Sequence, residues 1–140
     1  MKSKILYLTM AAAIIAGCNS QQAASNLITG TYAREYSFDQ VNLDTDKSIG
    51  NASVRDTIFI TPDGDHFQVS NSMWRKNDYD DKGWYKLGTN ERGAFHTYAA
   101  KWNETDSTLD PVDFGVMNPI KVDGKNGKIL LGKTEYGKVK

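Results

Sequence analysis

From Leu27 to the carboxyl end, apolar side chains recur at every second position in short runs, and no segment sustains a period of 3.6. That alternation predicts half-buried strands. "TGTYAREYSF", residues 29–38, sets Tyr32, Arg34, Tyr36 and Phe38 on one face and Thr31, Ala33, Glu35 and Ser37 on the other. "VRDTIFI" follows, then a turn at Pro62, Asp63 and Gly64, then "HFQVSNSMW" with Phe67, Val69 and Met73 on one side. Proline presets φ and glycine tolerates a positive one, so these two strands predict a hairpin. After the polar break "NDYDDKG" come a weak strand "WYKLG" and a longer one, "AFHTYAAKW", with Ala94, His96, Tyr98, Ala100 and Trp102 on one face. Residues 103–118 read as irregular, with a short strand near Leu109. "PIKVDGKNGKILLG" is a second hairpin with Asp123-Gly124 and Asn126-Gly127 at its tip, and "TEYGKVK" closes the chain.

Roughly seven to nine strands at this spacing predict an all-β domain, with no internal repeat and no second domain. About 115 residues bury an adequate core without disulfides or metals. A meander of hairpins in so short a chain does best by closing, because closure removes unpaired edges. The expected fold is therefore a small antiparallel up-and-down β-barrel, with a β-sandwich as the alternative. About eight strands leave an interior wide enough for side chains or one small ligand.

The amino end has a different pattern. Met1-Lys2-Ser3-Lys4 precedes an apolar run from Ile5 to Ala16 broken only by Thr9, and Gly17 and Cys18 follow. A positive start, an apolar stretch too short to span a bilayer and a small residue before a cut are the parts of a helical secretory signal. Ile15-Ala16-Gly17-Cys18 resembles the lipobox of bacterial lipoproteins. The resemblance implies removal of residues 1–17, a diacylglycerol on the Cys18 sulfur and an acylated new amino terminus. As the chain holds one cysteine, an internal disulfide is excluded. Each buried CH₂ is worth roughly 0.8 kcal/mol, so two or three acyl chains anchor permanently where one does not. Residues 18–26, polar and without pattern, read as a tether, and residues 27–140 as the barrel domain. Asn19 stands where, in the enteric lipoproteins this resembles, an aspartate signals inner-membrane retention. The resemblance thereby implies the outer membrane of a Gram-negative envelope, and as no acidic tract of the kind some groups use for surface export follows Cys18, the periplasmic face is expected.

Charge removes one class of partner. The chain has 17 basic and 17 acidic residues; without Lys2 and Lys4 the mature part keeps 15 against 17, and no basic run follows. Nucleic acid is therefore not an expected partner.

Gly30-Thr31-Tyr32 at the first strand looks like the Gly-x-Trp signature of lipocalins, with tyrosine for tryptophan. Lipobox, tether, "GTY" strand, successive hairpins and a closing "LLGKTEYGKV" together resemble small lipocalin-like lipoproteins of unknown function. The resemblance implies a barrel with an internal ligand. The chain departs from the lipocalin pattern in its last strand, which offers Lys133 and Lys138 where a lipocalin arginine stacks on the tryptophan.

Candidate chemistry is sparse. Arg34 among Tyr32, Tyr36 and Phe38 puts a guanidinium in an aromatic cup suited to an anionic or amphipathic ligand, or snorkels and pairs with a carboxylate. His66 and His96 sit in no metal motif. Asp78, Asp80 and Gly83 resemble the start of a calcium loop, but Lys82 and Thr89 occupy ligand positions, so a solvated turn is expected. Glu104, Asp106, Asp110 and Asp113 fall on a surface stretch. No nucleophile elbow, phosphate loop or second thiol is present, so neither enzymatic activity nor a cofactor is expected. The first functional expectation is a membrane-anchored protein holding a small apolar or amphipathic molecule inside the barrel near Tyr32, Arg34, Tyr36 and Phe67. This requires a cavity of several hundred Å³. The second is an accessory or inhibitor that binds an envelope protein through the loop ends around Trp74 to Trp84 or Asn103 to Asn118, with a packed interior and exposed aromatics. Packing alone is the plainer role for Trp74, Tyr79, Trp84, Tyr85 and Trp102.

Overall fold

The computed structural model describes residues 24–87, 97–112 and 118–140. Cys18, the leader, His96 and Asp113 lie outside them. Nine strands run in chain order: β1 (Gly30–Asn42), β2 (Lys47–Asp63), β3 (His66–Asn77), β4 (Tyr85–Lys86), β5 (Tyr98–Asn103), β6 (Thr108–Pro111), β7 (Ile120–Asp123), β8 (Lys128–Leu131) and β9 (Thr134–Lys138). Every pairing is antiparallel. The order β2-β1-β9-β8-β7-β6-β5-β3 returns to β2 through the β2–β3 ladder, so eight strands close a ring and β4 hangs on β3. This is the expected up-and-down barrel rather than a sandwich, and it is uneven. Among the described residues no helix is long and apolar enough to cross a membrane.

Alternation fixes what faces inward. Ile58 and Ile60 on β2, Phe67 and Val69 on β3, Ile129 on β8 and Tyr136 on β9 are all buried, while their immediate chain neighbours Phe59, Gln68 and Glu135 are exposed. The ring is closed at one end by a helical turn at residues 24–28. Ser25 accepts the Thr29 amide at 2.9 Å, and Ile28 is wholly buried in the core. Ala24 packs on the same core. Residues 24–26, expected in the tether, form the start of this turn, with Ala24 partly buried and Asn26 exposed. Gly30, at φ +146°, carries the chain from this turn into β1, a conformation that glycine adopts without strain.

One other detail differs from expectation. The β2–β3 turn lies at Gly64 and Asp65, with Pro62 still inside β2 opposite Phe67. Proline is tolerated there because β1 begins at Gly30, opposite Ile60, so Pro62 has no neighbour on that side. The short strand expected near Leu109 is β6, paired with both β5 and β7.

The unevenness lies in β1, β2 and β3, which have 13, 17 and 12 residues against 4 to 6 in β5 to β9. β9 pairs with β1 only at Tyr32 and Ala33. From Arg34 to the tip turn at residues 43–46, the three strands leave the ring as a ribbon, about 25 to 30 Å long at roughly 3.3 Å per residue. It projects from the end opposite the 24–28 turn.

Candidate functional site

The inner face of the ring continues up the ribbon, so core positions give way to a partly wet concave surface. Cross-strand register sets Tyr32, Arg34, Tyr36 and Phe38 of β1 against Ile58, Asp56, Val54 and Ala52 of β2, and those in turn against Asn71, Met73, Arg75 and Asn77 of β3. Exposure rises along this face from Tyr32 at 1% to Tyr36 at 38% and Phe38 at 42%.

At its base lies a buried polar cluster. Tyr136 donates its hydroxyl to Asp56 Oδ2 at 2.7 Å, and Arg34 Nε stands 3.5 Å from the same oxygen. The snorkelling, carboxylate-paired reading of Arg34 is thus the one its geometry fits. Asp56 is 2% exposed, and its Oδ1 has no hydrogen-bond partner among the described residues. Burial, reinforced by the Asp56 carboxylate at its hydroxyl, pushes the Tyr136 phenol well above its ordinary pKa.

Above the cluster, cations and rings alternate. The Arg34 guanidinium carbon lies 5.3 Å from the Tyr136 ring centre and 4.6 Å from that of Tyr36. Tyr36 stacks with Phe38 at 6.4 Å, and Arg75 lies 5.6 Å from the Phe38 ring centre. Arg75 is steered by its Nε bond to Asn77 Oδ1 at 2.8 Å. Asn77 in turn donates to Asp80 at 2.9 Å and to the Tyr85 hydroxyl at 3.1 Å. The Asn77 bond holds the Asp80 carboxyl below its ordinary pKa. The 78–83 stretch is therefore a turn tied to the ribbon, as expected for the calcium-like residues, and no group of three metal-binding side chains exists among the described residues. The opposite face of the ribbon carries Trp74 and Trp84, with Arg55 stacked 4.8 Å over Trp84 and paired to Glu35.

The expected ligand residues thus separate. Tyr32 and Phe67 are core; Arg34 and Tyr36 belong to the ribbon. Lys138 lies 5.6 Å from the Tyr32 ring centre. Inside the ring, Ile58, Val69, Asn71, Tyr98, Ile120 and Leu131 border a void of at most about 170 Å³. That falls short of the several hundred Å³ an internal ligand needs. A wider groove of about 680 Å³ lies at the tether end, between Leu27, Trp102, Lys121, Asp123 and Leu130. His66, at the β2–β3 turn, is paired with Asp65.

Asp56, Arg75 and Tyr136 were not among the expected site residues. The signal for Asp56 was present in "VRDTIFI", where it shares a face with Val54, Ile58 and Ile60, a carboxylate on an apolar stripe that calls for a partner. No family model, curated protein or solved structure matches the chain.

Proposed function

We propose that the chain is a non-enzymatic envelope lipoprotein, anchored through Cys18, that holds a partner protein on its projecting ribbon. One observation carries this: among the described residues, the void that Ile58, Val69, Tyr98, Ile120 and Leu131 border inside the ring is at most about 170 Å³, while the three longest strands extend beyond the ring with Tyr36, Phe38, Trp74 and Trp84 at least 36% exposed. Aromatic side chains beside arginines are the composition of binding hot spots, and material this apolar has no packing role outside the ring.

The test is photo-crosslinking in intact cells from a benzophenone amino acid at Phe38, with Phe59 as control. Phe59 is 37% exposed but on the outer face at ring level. A discrete adduct from position 38 that is absent from 59 is expected. Equal adducts, or none, end the proposal. A second reading keeps a small amphipathic ligand and moves it to the 680 Å³ groove beside Trp102. Native mass spectrometry before and after organic extraction distinguishes it by a retained small mass.

A further inference from the structure

Strand β1 has an edge that the ring uses for only two residues. Its second ladder, to β9, ends at Ala33; from Arg34 to Asn42 no described residue pairs with it there, whereas the other edge is paired with β2 to the tip. The backbone direction is fixed by the last contact, in which Val139 donates its amide to the Thr31 carbonyl at 2.8 Å. Peptide groups alternate sides with a period of two. The N–H and C=O groups of Glu35, Ser37 and Asp39 therefore point to the vacant edge, and those of Arg34, Tyr36 and Phe38 to β2.

We propose that this edge is completed by an extended segment of the partner protein, which adds as a further strand beside β1. The inference rests on the partner-binding reading above and specifies its mode. A row of unpaired peptide groups is a template for strand addition, and the side chains beside it set what is accepted. On the concave side the incoming strand meets Tyr36 and Phe38, which favour aromatic or β-branched residues. On the outer side it meets Glu35, Ser37 and Asp39. Glu35 is already paired with Arg55, but Asp39 has only the Ser48 hydroxyl and no cation among the described residues. A lysine or arginine opposite Asp39 completes it. The favoured occupant alternates apolar residues with cationic ones. A second copy of this chain fits less well: an antiparallel β1–β1 pair centred on Ser37 would set Glu35 against Asp39, a like-charge pair.

The experiment selects a displayed library of random ten-residue peptides on the full-length protein in detergent. Selected peptides are expected to alternate apolar with Lys or Arg. Ser37→Pro removes an edge N–H without touching the β1–β2 ladder, and should weaken peptide binding at least tenfold, while Ser37→Ala binds as the parent does. Should Ser37→Pro fail to fold, amide exchange in the parent decides: bound peptide must slow Glu35, Ser37 and Asp39 at least tenfold and leave Arg34, Tyr36 and Phe38 unchanged. Peptides without alternation, no selected peptide, or unaltered edge amides overturn the inference. So does a self-dimer that Ser37→Pro abolishes. A position-38 adduct that survives Ser37→Pro would keep the partner surface and reject strand addition alone.

Discussion

Two tyrosines on the barrel's inner face carry buried hydroxyls in opposite situations, so the same substitution should have unlike effects. Tyr136→Phe removes the donor 2.7 Å from Asp56 Oδ2 and keeps the ring against Arg34. The other oxygen of Asp56 lacks a donor among the described residues, so the variant leaves that buried carboxylate with Arg34 at 3.5 Å as its remaining counter-group. A hydrogen bond to a charged group contributes about 1.5–3 kcal/mol, and stranding a buried acceptor costs a further share, so a loss of about 2–3 kcal/mol is expected. Against a typical total of about 5–15 kcal/mol this is large. Tyr98→Phe removes a hydroxyl that has no partner among the described residues and should cost under about 0.5 kcal/mol or stabilise. Equilibrium urea unfolding at pH 7, followed by tryptophan fluorescence on the Cys18→Ser protein, measures both. Adding Asp56→Asn completes a double-mutant cycle, whose coupling to Tyr136 should be about 1–3 kcal/mol. Equal costs for the two Tyr→Phe changes, or a cycle that closes at zero, would refute the reasoning.

Burial also raises the phenols of Tyr32, Tyr98 and Tyr136, that of Tyr98 to about 12. A neutral acid with a raised folded pKa stabilises below the unfolded value of about 10 and loses that contribution as pH climbs to the folded one. Alkaline titration at 295 nm should therefore lag in the native protein relative to the chain in urea, with stability falling above pH 10. A fatty acid label fed to host cells should appear on the wild-type protein and not on Cys18→Ser; equal labelling of the two would exclude the thioether anchor. Gly30→Ala should cost about 1–3 kcal/mol, because φ is +146°, a conformation that L side chains rarely adopt, whereas the flexible Lys138 chain that the new Cβ would approach can swing aside, as read by thermal melting.

What was legible in the sequence follows the physics of each segment. Strands with one buried face announce themselves, so "HFQVSNSMW", the described part "YAAKW" of the expected 94–102 strand and the glycine-tipped hairpin at Asp123 to Gly127 lie close to where the alternation puts them. The ribbon was not legible. Residues 39–53 are mostly Asp, Asn, Ser, Thr and Lys without apolar alternation, and on both sides of the 43–46 turn they are strand because β1 and β2 pair with each other, with a bulge at Gln40/Val41. Ladder bonds between distant residues leave no local periodicity to read. The same fact misplaced the site: Tyr32, Arg34, Tyr36 and Phe38 do share a face, but one face of a strand that outruns its barrel passes from core to solvent.

That passage from core to solvent gives the molecule a direction. The chain enters at the 24–28 turn, which caps one end of the ring, and β1 runs away from it for 13 residues, about 40 Å at the usual rise. An anchor at Cys18 is separated from the turn by five residues, which span at most about 20 Å. A Cys18 thioether would therefore hold the barrel against the lipid surface and direct the aromatic ribbon away from it, toward partners in the aqueous space. Shortening the tether should leave such a surface working, whereas moving the lipid to the ribbon tip, with Leu43→Cys in the Cys18→Ser protein alkylated by a maleimide lipid and reconstituted in vesicles with the partner, should bury Phe38 near the bilayer and abolish its crosslink. A crosslink that survives that inversion would mean that the ribbon's direction is irrelevant to its partner.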